Sequence, residues 1–309
     1  MKDYKLIAWD GVSFHIPANW ELAVYKFLKK GVTRVEIEDE YAVRMEAEWV
    51  RPKKKLQMDH ILERYERKSK RLTMAADDKK PIKNLPEGWV ATHYTFAETV
   101  PHTQKRRGLQ VVKHGLVTAF FLCPDSRIFC FVMLHFLPED KEDPAEIMRL
   151  VASDFRHHFG SGLVRWQLFD IAFELPPGFL LENTLFDIGS KLMVFRWKMR
   201  RFYLWHFSCA DMFIKGDTDV PKWLAAKIND FRRIRGGSFF VDENGEIRWR
   251  RKRRHVIAHR EEIARWCFSY KVVWHHDREK NQLIAWVFNY RRAADLRIIP
   301  EPLRFGRTF

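Results

Sequence analysis

Apolar and polar positions alternate over much of the chain. The stretch Gly11-Val-Ser-Phe-His-Ile-Pro-Ala-Asn-Trp20 alternates, stops at Pro17 and then presents a large aromatic. Period-two alternation predicts a half-buried strand, and proline ends it. A further strand follows Trp20, Gly31 marks a turn, and Val32 to Val50 suits two more strand segments. From Leu56 to Leu72 the period becomes helical, with Leu56, Ile61, Leu62 and Tyr65 near one face. Leu116 to Cys123 and Ile128 to Phe136 flank a Pro-Asp-Ser-Arg turn and predict a long hairpin. Pro144 to Arg156 reads as a helix, capped by Asp143 and closed near Gly160.

The second half repeats this order. In Asp170-Ile-Ala-Phe-Glu-Leu-Pro-Pro-Gly-Phe179, Phe173, Leu175, Pro176 and Phe179 match Phe14, Ile16, Pro17 and Trp20 at one constant offset. Gly189 and the alternating stretch Lys191 to Phe207 follow. Next comes a helix candidate, Val220 to Ile234, started by Asp219 and Pro221. A hairpin, Arg265 to Trp274 and Leu283 to Tyr290, flanks His275 to Lys280, and a shorter Arg291 to Leu296 segment leads into an irregular tail. Gly160-Ser-Gly162 interrupts the pattern, so two tandem domains are expected, 1–160 and 161–309. Strands bracketing helices, without regular β-α alternation, predict the α+β class, each domain an antiparallel sheet packed with helices.

The strand that ends in proline and an aromatic, Phe14-His-Ile-Pro-Ala-Asn-Trp20, leads into a meander, a helix, a hairpin and a final helix. That order resembles the PsbP-like α/β/α sandwich, a fold that includes a Ran-binding nuclear import factor. The resemblance is one of pattern over each half, not of residue identity. It implies a tandem duplication of the sandwich and a binding function, because the group consists mostly of accessory proteins that dock on larger assemblies and share no catalytic residues. The Arg-rich segment around Arg248 and the 12 tryptophans depart from the pattern.

Composition narrows the class. With 46% hydrophobic and 31% charged residues over 309 positions, disorder is excluded as the main state. Met1 to Asp10 carries acidic residues and lacks the apolar core of a secretion signal, which predicts a cytoplasmic chain. The longest apolar runs, Leu116 to Cys123 and Ile128 to Leu134, fall far short of the roughly 20 residues that span a bilayer, so no transmembrane segment is expected. The cysteines Cys123, Cys130, Cys209 and Cys267 form no CxxC pair, and a structural zinc is not expected. With Ser126 and Arg127 as a turn, Cys123 and Cys130 would lie opposite each other. Two small buried hydrophobes are favoured over a redox-sensitive disulfide.

Charge supplies the functional clue. Lys and Arg total 55 against 40 Asp and Glu, a net +15, of which residues 161–309 carry +11 (28 against 17). Such a balance predicts an anionic partner. The densest signal is Arg248, Trp249, Arg250, Arg251, Lys252, Arg253 and Arg254, which combines phosphate-binding guanidinium groups with a stacking ring. A solvated basic loop is the plainer reading of the same run. Trp197, Trp205, Trp274 and Trp286 also fall in this half. His255 and His259 have helical metal-ligand spacing, but the arginines beside them would repel a cation. His157-His158 and His275-His276 are adjacent and point apart, and no metal or cofactor is expected. Glu36, Glu38, Glu46 and Glu48 alternate with apolar residues and are expected on a solvent-facing side of the strands. No Walker, GxGxxG, HExxH or GxSxG motif is present. The leading expectation is a non-enzymatic accessory protein that docks on an acidic protein surface or larger complex. RNA or DNA binding through residues 248–254 is the alternative, and an enzyme acting on an anionic small molecule at the domain interface is a third class.

Overall fold

Alternating β-branched and aromatic residues become extended strand along most of the chain. A computed structural model describes residues 3–28, 31–51, 55–101, 109–123, 125–157, 162–168, 171–215, 218–231, 234, 237–251 and 268–299. In chain order, β1 (Tyr4–Trp9) and β2 (Val12–Pro17) make a hairpin, and β3 (Glu21–Leu28), β4 (Val32–Glu38) and β5 (Val43–Val50) make a meander. Helix α1 (Lys55–Leu72), β6 (Asp78–Pro81), β7 (Trp89–Pro101), β8 (Leu109–Leu122), β9 (Phe129–Phe136) and α2 (Pro144–Ser153) follow. The order then runs again through β10 (Val164–Leu168), β11 (Ile171–Leu175), β12 (Leu180–Asp187), β13 (Ser190–Trp197) and β14 (Arg200–Ser208). A 3-10 turn at Ala210–Met212 precedes α3 (Val220–Asp230), β15 (Gly237–Val241), β16 (Ile247–Arg251), β17 (Ser269–Asp277) and β18 (Gln282–Tyr290), and a 3-10 segment, Ala293–Ile298, comes last.

The expected α+β sandwich is not what these residues build. Among the described residues 54% are strand and 19% helix, arranged in four antiparallel sheets, so the protein is mostly β and the helices do not form a layer of their own. The capping signals of the helices are real: Asp143 accepts from the amide of Ala145, and Asp219 from that of Lys222. The helices stand within a few residues of where their periodicity predicts them; what the expected class lacked is strand, since β6, β7, β15 and β16 carry weak sequence signals. The β7–β8 hairpin pairs from Trp89–Phe121 to Pro101–Leu109, and only its second half has a clear apolar run.

The described chain divides into two compact units, residues 3–157 with Arg165–Phe173, and Gly162–Val164 with residues 174–299. The first contains a seven-stranded sheet in the order β3-β4-β5-β9-β8-β7-β6, and the second a five-stranded sheet in the order β12-β13-β14-β18-β17. The second order follows the first five strands of the first, β3-β4-β5-β9-β8, while β7 and β6 have no counterpart in that sheet. Each sheet also has a β-bulge in its edge strand, between Leu22 and Val24 in β3 and between Leu181 and Asn183 in β12, at the offset that separates Phe14 from Phe173. Strands β11-β10-β1-β2 form a further sheet, and β15-β16 a two-stranded ribbon.

In the first unit, α2 lies against β2, β7, β8 and β9 and buries Ile147, Met148 and Val151. Other core residues, Phe129, Phe131 and Met133 of β9 with Met58 and Tyr65 of α1, form a separate cluster. In the second unit, Leu224 and Ile228 of α3 and Phe239 of β15 pack with Leu192, Val194, Tyr203 and Trp205. The expected apposition of the two hairpin cysteines does not occur. Cys130 pairs with Phe121, while the amide of Cys123 bonds the carbonyl of Ile128, because the connection is longer than a two-residue turn. Neither forms a disulfide, and burial pushes the Cys130 thiol well above its usual range.

Candidate functional site

Register places Arg34 of β4 opposite Glu48 of β5, and Glu36 opposite Glu46, on one face of the seven-stranded sheet. These glutamates do not form the solvent-facing strand side expected from their alternation. The Arg34 guanidinium donates from Nε to Glu36 at 3.0 Å, from one terminal nitrogen to Glu48 at 3.2 Å and from the other to Glu46. The Glu48 side chain is only 4% exposed, and it also accepts from the Tyr65 hydroxyl and, at 2.9 Å, from the Lys68 ammonium. His135 Nε2 sits 3.2 Å from Glu46. The bond with His135 and the charge of Arg34 hold the Glu46 carboxyl below its ordinary range, against burial. Burial works to raise Glu48, but Tyr65, Lys68 and Arg34 together hold it below as well. Burial first, and Glu48 second, push the Tyr65 phenol far upward. Glu48 thus ties two side chains of α1 to the sheet.

The second unit occupies the same sheet positions differently. Beyond the shared bulge, Val24 pairs with Glu36 as Asn183 pairs with Val194. Carrying the register inward, Arg34, Glu36, Glu46 and Glu48 correspond to Leu192, Val194, Tyr203 and Trp205. Those four are buried apolar core, with the Phe231 ring edge-on to Tyr203 and Trp205. The same sheet positions therefore accept a dry core. Isolating charges from water is costly, and apolar replacements are often more stable, so the ion cluster is a specialisation of the first unit and not a requirement of its sheet.

The helix held by that cluster presents a basic face. Arg64, Arg67, Lys68 and Arg71 follow i, i+3, i+4, i+7 spacing and line one open surface depression. Lys68 is engaged by Glu48, and Arg67 by Glu63 at 3.6 Å. The Arg64 guanidinium lies 5.4 Å from the centre of the Tyr65 ring. Among the described residues neither Arg64 nor Arg71 has a carboxylate partner. Asp59, Glu63 and Glu66 share a neighbouring stripe at i, i+4, i+7, so opposite charges run side by side along α1. The apolar period of this helix, Leu56, Ile61, Leu62 and Tyr65, runs beside a basic one. The basic period was equally legible.

The arginine-rich segment is divided by its strand. On β16, alternation separates Arg248 and Arg250 from Trp249. Trp249 is not a stacking face: its ring packs on Phe239 at 4.8 Å and Tyr270 at 4.4 Å between centroids. Arg248 is paired with Asp242 at 3.0 Å and with Glu246. Arg250 lies over the Phe240 ring at 4.5 Å, and Arg251 is exposed. Lys252, Arg253 and Arg254 lie outside the described residues, as do His255 and His259. Trp205 and Trp286 are core, and Trp274 is partly buried against it. Trp197 stacks on Phe179, with Lys198 and Arg200 at 4.7 and 5.1 Å from its ring. Among the described residues no group of His, Cys, Asp and Glu is placed to hold a metal ion, and no helix is long and apolar enough to cross a membrane. Comparison with protein-family models and with curated proteins finds no match.

Proposed function

We propose that the protein is a non-enzymatic docking module that binds an acidic protein surface through the basic face of α1. The observation that carries this reading is the convergence of Arg64, Arg67, Lys68 and Arg71 on one open depression. Their helix is anchored by buried charges whose counterparts in the second unit are apolar. Glu46 and Glu48 do not act as a free acid–base pair, because Arg34, Lys68, Tyr65 and His135 already occupy their oxygens. The acidic stripe Asp59, Glu63 and Glu66 favours a protein over a nucleic acid. A continuous phosphate backbone would meet those carboxylates, whereas a protein surface can set bases against them.

The test is fluorescence anisotropy at about 150 mM salt, where the Debye length is about 8 Å. Labelled poly-glutamate with interspersed lysines and a labelled duplex RNA are titrated with wild type and with the Arg64→Glu, Arg67→Glu, Arg71→Glu triple variant. The reading expects saturable poly-glutamate binding that the triple variant loses and that weakens as salt rises. Tighter binding to RNA, or poly-glutamate binding that survives the triple change, would overturn it.

A further inference from the structure

The same depression has a charge count, and that count narrows the ligand. Of its four cations, Lys68 is paired with the buried Glu48, and Arg67 meets Glu63 in an exposed pair. Among the described residues two guanidinium groups have no carboxylate partner, Arg64 and Arg71, two helical turns apart and so separated by roughly 10 Å along the axis. Both side chains line the one depression. A carboxylate brings a single charge to this site. A phosphate monoester brings about −1.5 to −2 and three acceptor oxygens, which matches these two forks. The neighbouring stripe of Asp59, Glu63 and Glu66 confines that anion to one spot.

We propose that the depression on α1 takes a single phosphate-class dianion, presented as a phosphorylated serine or threonine on the docking partner. Basic residues of the same partner segment then face Asp59, Glu63 and Glu66. This inference rests on the docking reading and names the group that reading leaves open. Arg64 and Arg71 grip the phosphate, and Glu48 keeps Lys68 in place beside them. Substitution of glutamate for the phosphorylated residue supplies too little charge and too few acceptors to reproduce the contact.

The experiment uses the full chain and one synthetic peptide, carrying a lysine-flanked central position, in three forms: phosphoserine, serine and glutamate. Affinities are measured by anisotropy for wild type, for Arg64→Ala with Arg71→Ala, and for Lys79→Ala with Lys80→Ala as an equal-charge control on β6. The phosphoserine form is expected to bind roughly 10- to 100-fold more tightly than the other two, as charge-assisted bonds from two arginines imply. That preference should vanish in the Arg64/Arg71 variant and survive in the Lys79/Lys80 control. Equal binding of the glutamate and phosphoserine forms would overturn the phosphate assignment, and so would a preference that survives the Arg64/Arg71 change. If poly-glutamate still binds through α1 in that case, the docking reading stands without it. Failure of both poly-glutamate and phosphopeptide removes both.

Discussion

Glu48 concentrates the electrostatics of the first unit. Its carboxylate receives Arg34, Lys68 and Tyr65 while almost wholly buried. Glu48→Ala strips Tyr65 and Lys68 of their carboxylate and removes one of the three that Arg34 meets, and a loss of about 3–5 kcal/mol is expected, measured by urea unfolding. Glu48→Gln keeps the shape and should cost about 1–3 kcal/mol. Glu46 and Glu48 are both held below the ordinary glutamate value of 4.5 in the folded state. On acidification the unfolded chain therefore takes up protons first, so their stabilisation is complete above about pH 4.5 and fades as pH falls through the depressed values. Unfolding midpoints followed by circular dichroism between neutral pH and about pH 3 should decline less steeply in Glu48→Gln than in wild type. Trp249 invites a different comparison. Since its ring is packed on Phe239 and Tyr270, Trp249→Ala should cost about 2–4 kcal/mol, whereas Arg250→Ser, at an exposed position, should stay within about 0.5 kcal/mol. Equal effects of the two changes would argue that the tryptophan is not core.

At the scale of elements, the β15–β16 ribbon depends on a glycine. A Cβ at Gly237 would lie 2.4 Å from both the Arg250 carbonyl oxygen and the Trp249 ring. Backbone cannot yield there without disturbing the pairing, and Gly237→Ala is expected to destabilise the second unit by about 1–3 kcal/mol in urea. Asn229 of α3 supports the same ribbon, its amide bonding both the N–H and the C=O of Phe239. The ribbon was hidden in sequence because Ser238 to Val241 and Ile247 to Arg251 are short and the second is mostly arginine. Helix starts were legible, since Asp143 and Asp219 with a following proline are local chemistry. The basic face of α1 was legible only as a spacing. That Tyr65 and Lys68 meet one carboxylate depends on where the helix crosses β5, which no local pattern encodes.

Over the whole molecule, two units with corresponding strand order carry different interiors at matched positions, charged in one and apolar in the other. Two units with separate cores are expected to unfold as distinguishable steps. Tryptophan fluorescence in a urea titration should resolve two transitions, with Glu48→Ala lowering one and Gly237→Ala the other. A single transition moved equally by both changes would show that the cores are coupled.

From the residues alone came the repeat, most of the strands, the helix caps and the excess of positive charge, because each is set by local periodicity, backbone preference or composition. Tertiary structure decided the rest. The α+β expectation failed because weakly patterned segments such as Trp89–Pro101 become strand only by pairing with a neighbour. Glu48 reads in sequence like any alternating strand glutamate, and it became the anchor of a basic helix because folding carried Arg34, Tyr65 and Lys68 to it across 14, 17 and 20 positions of chain.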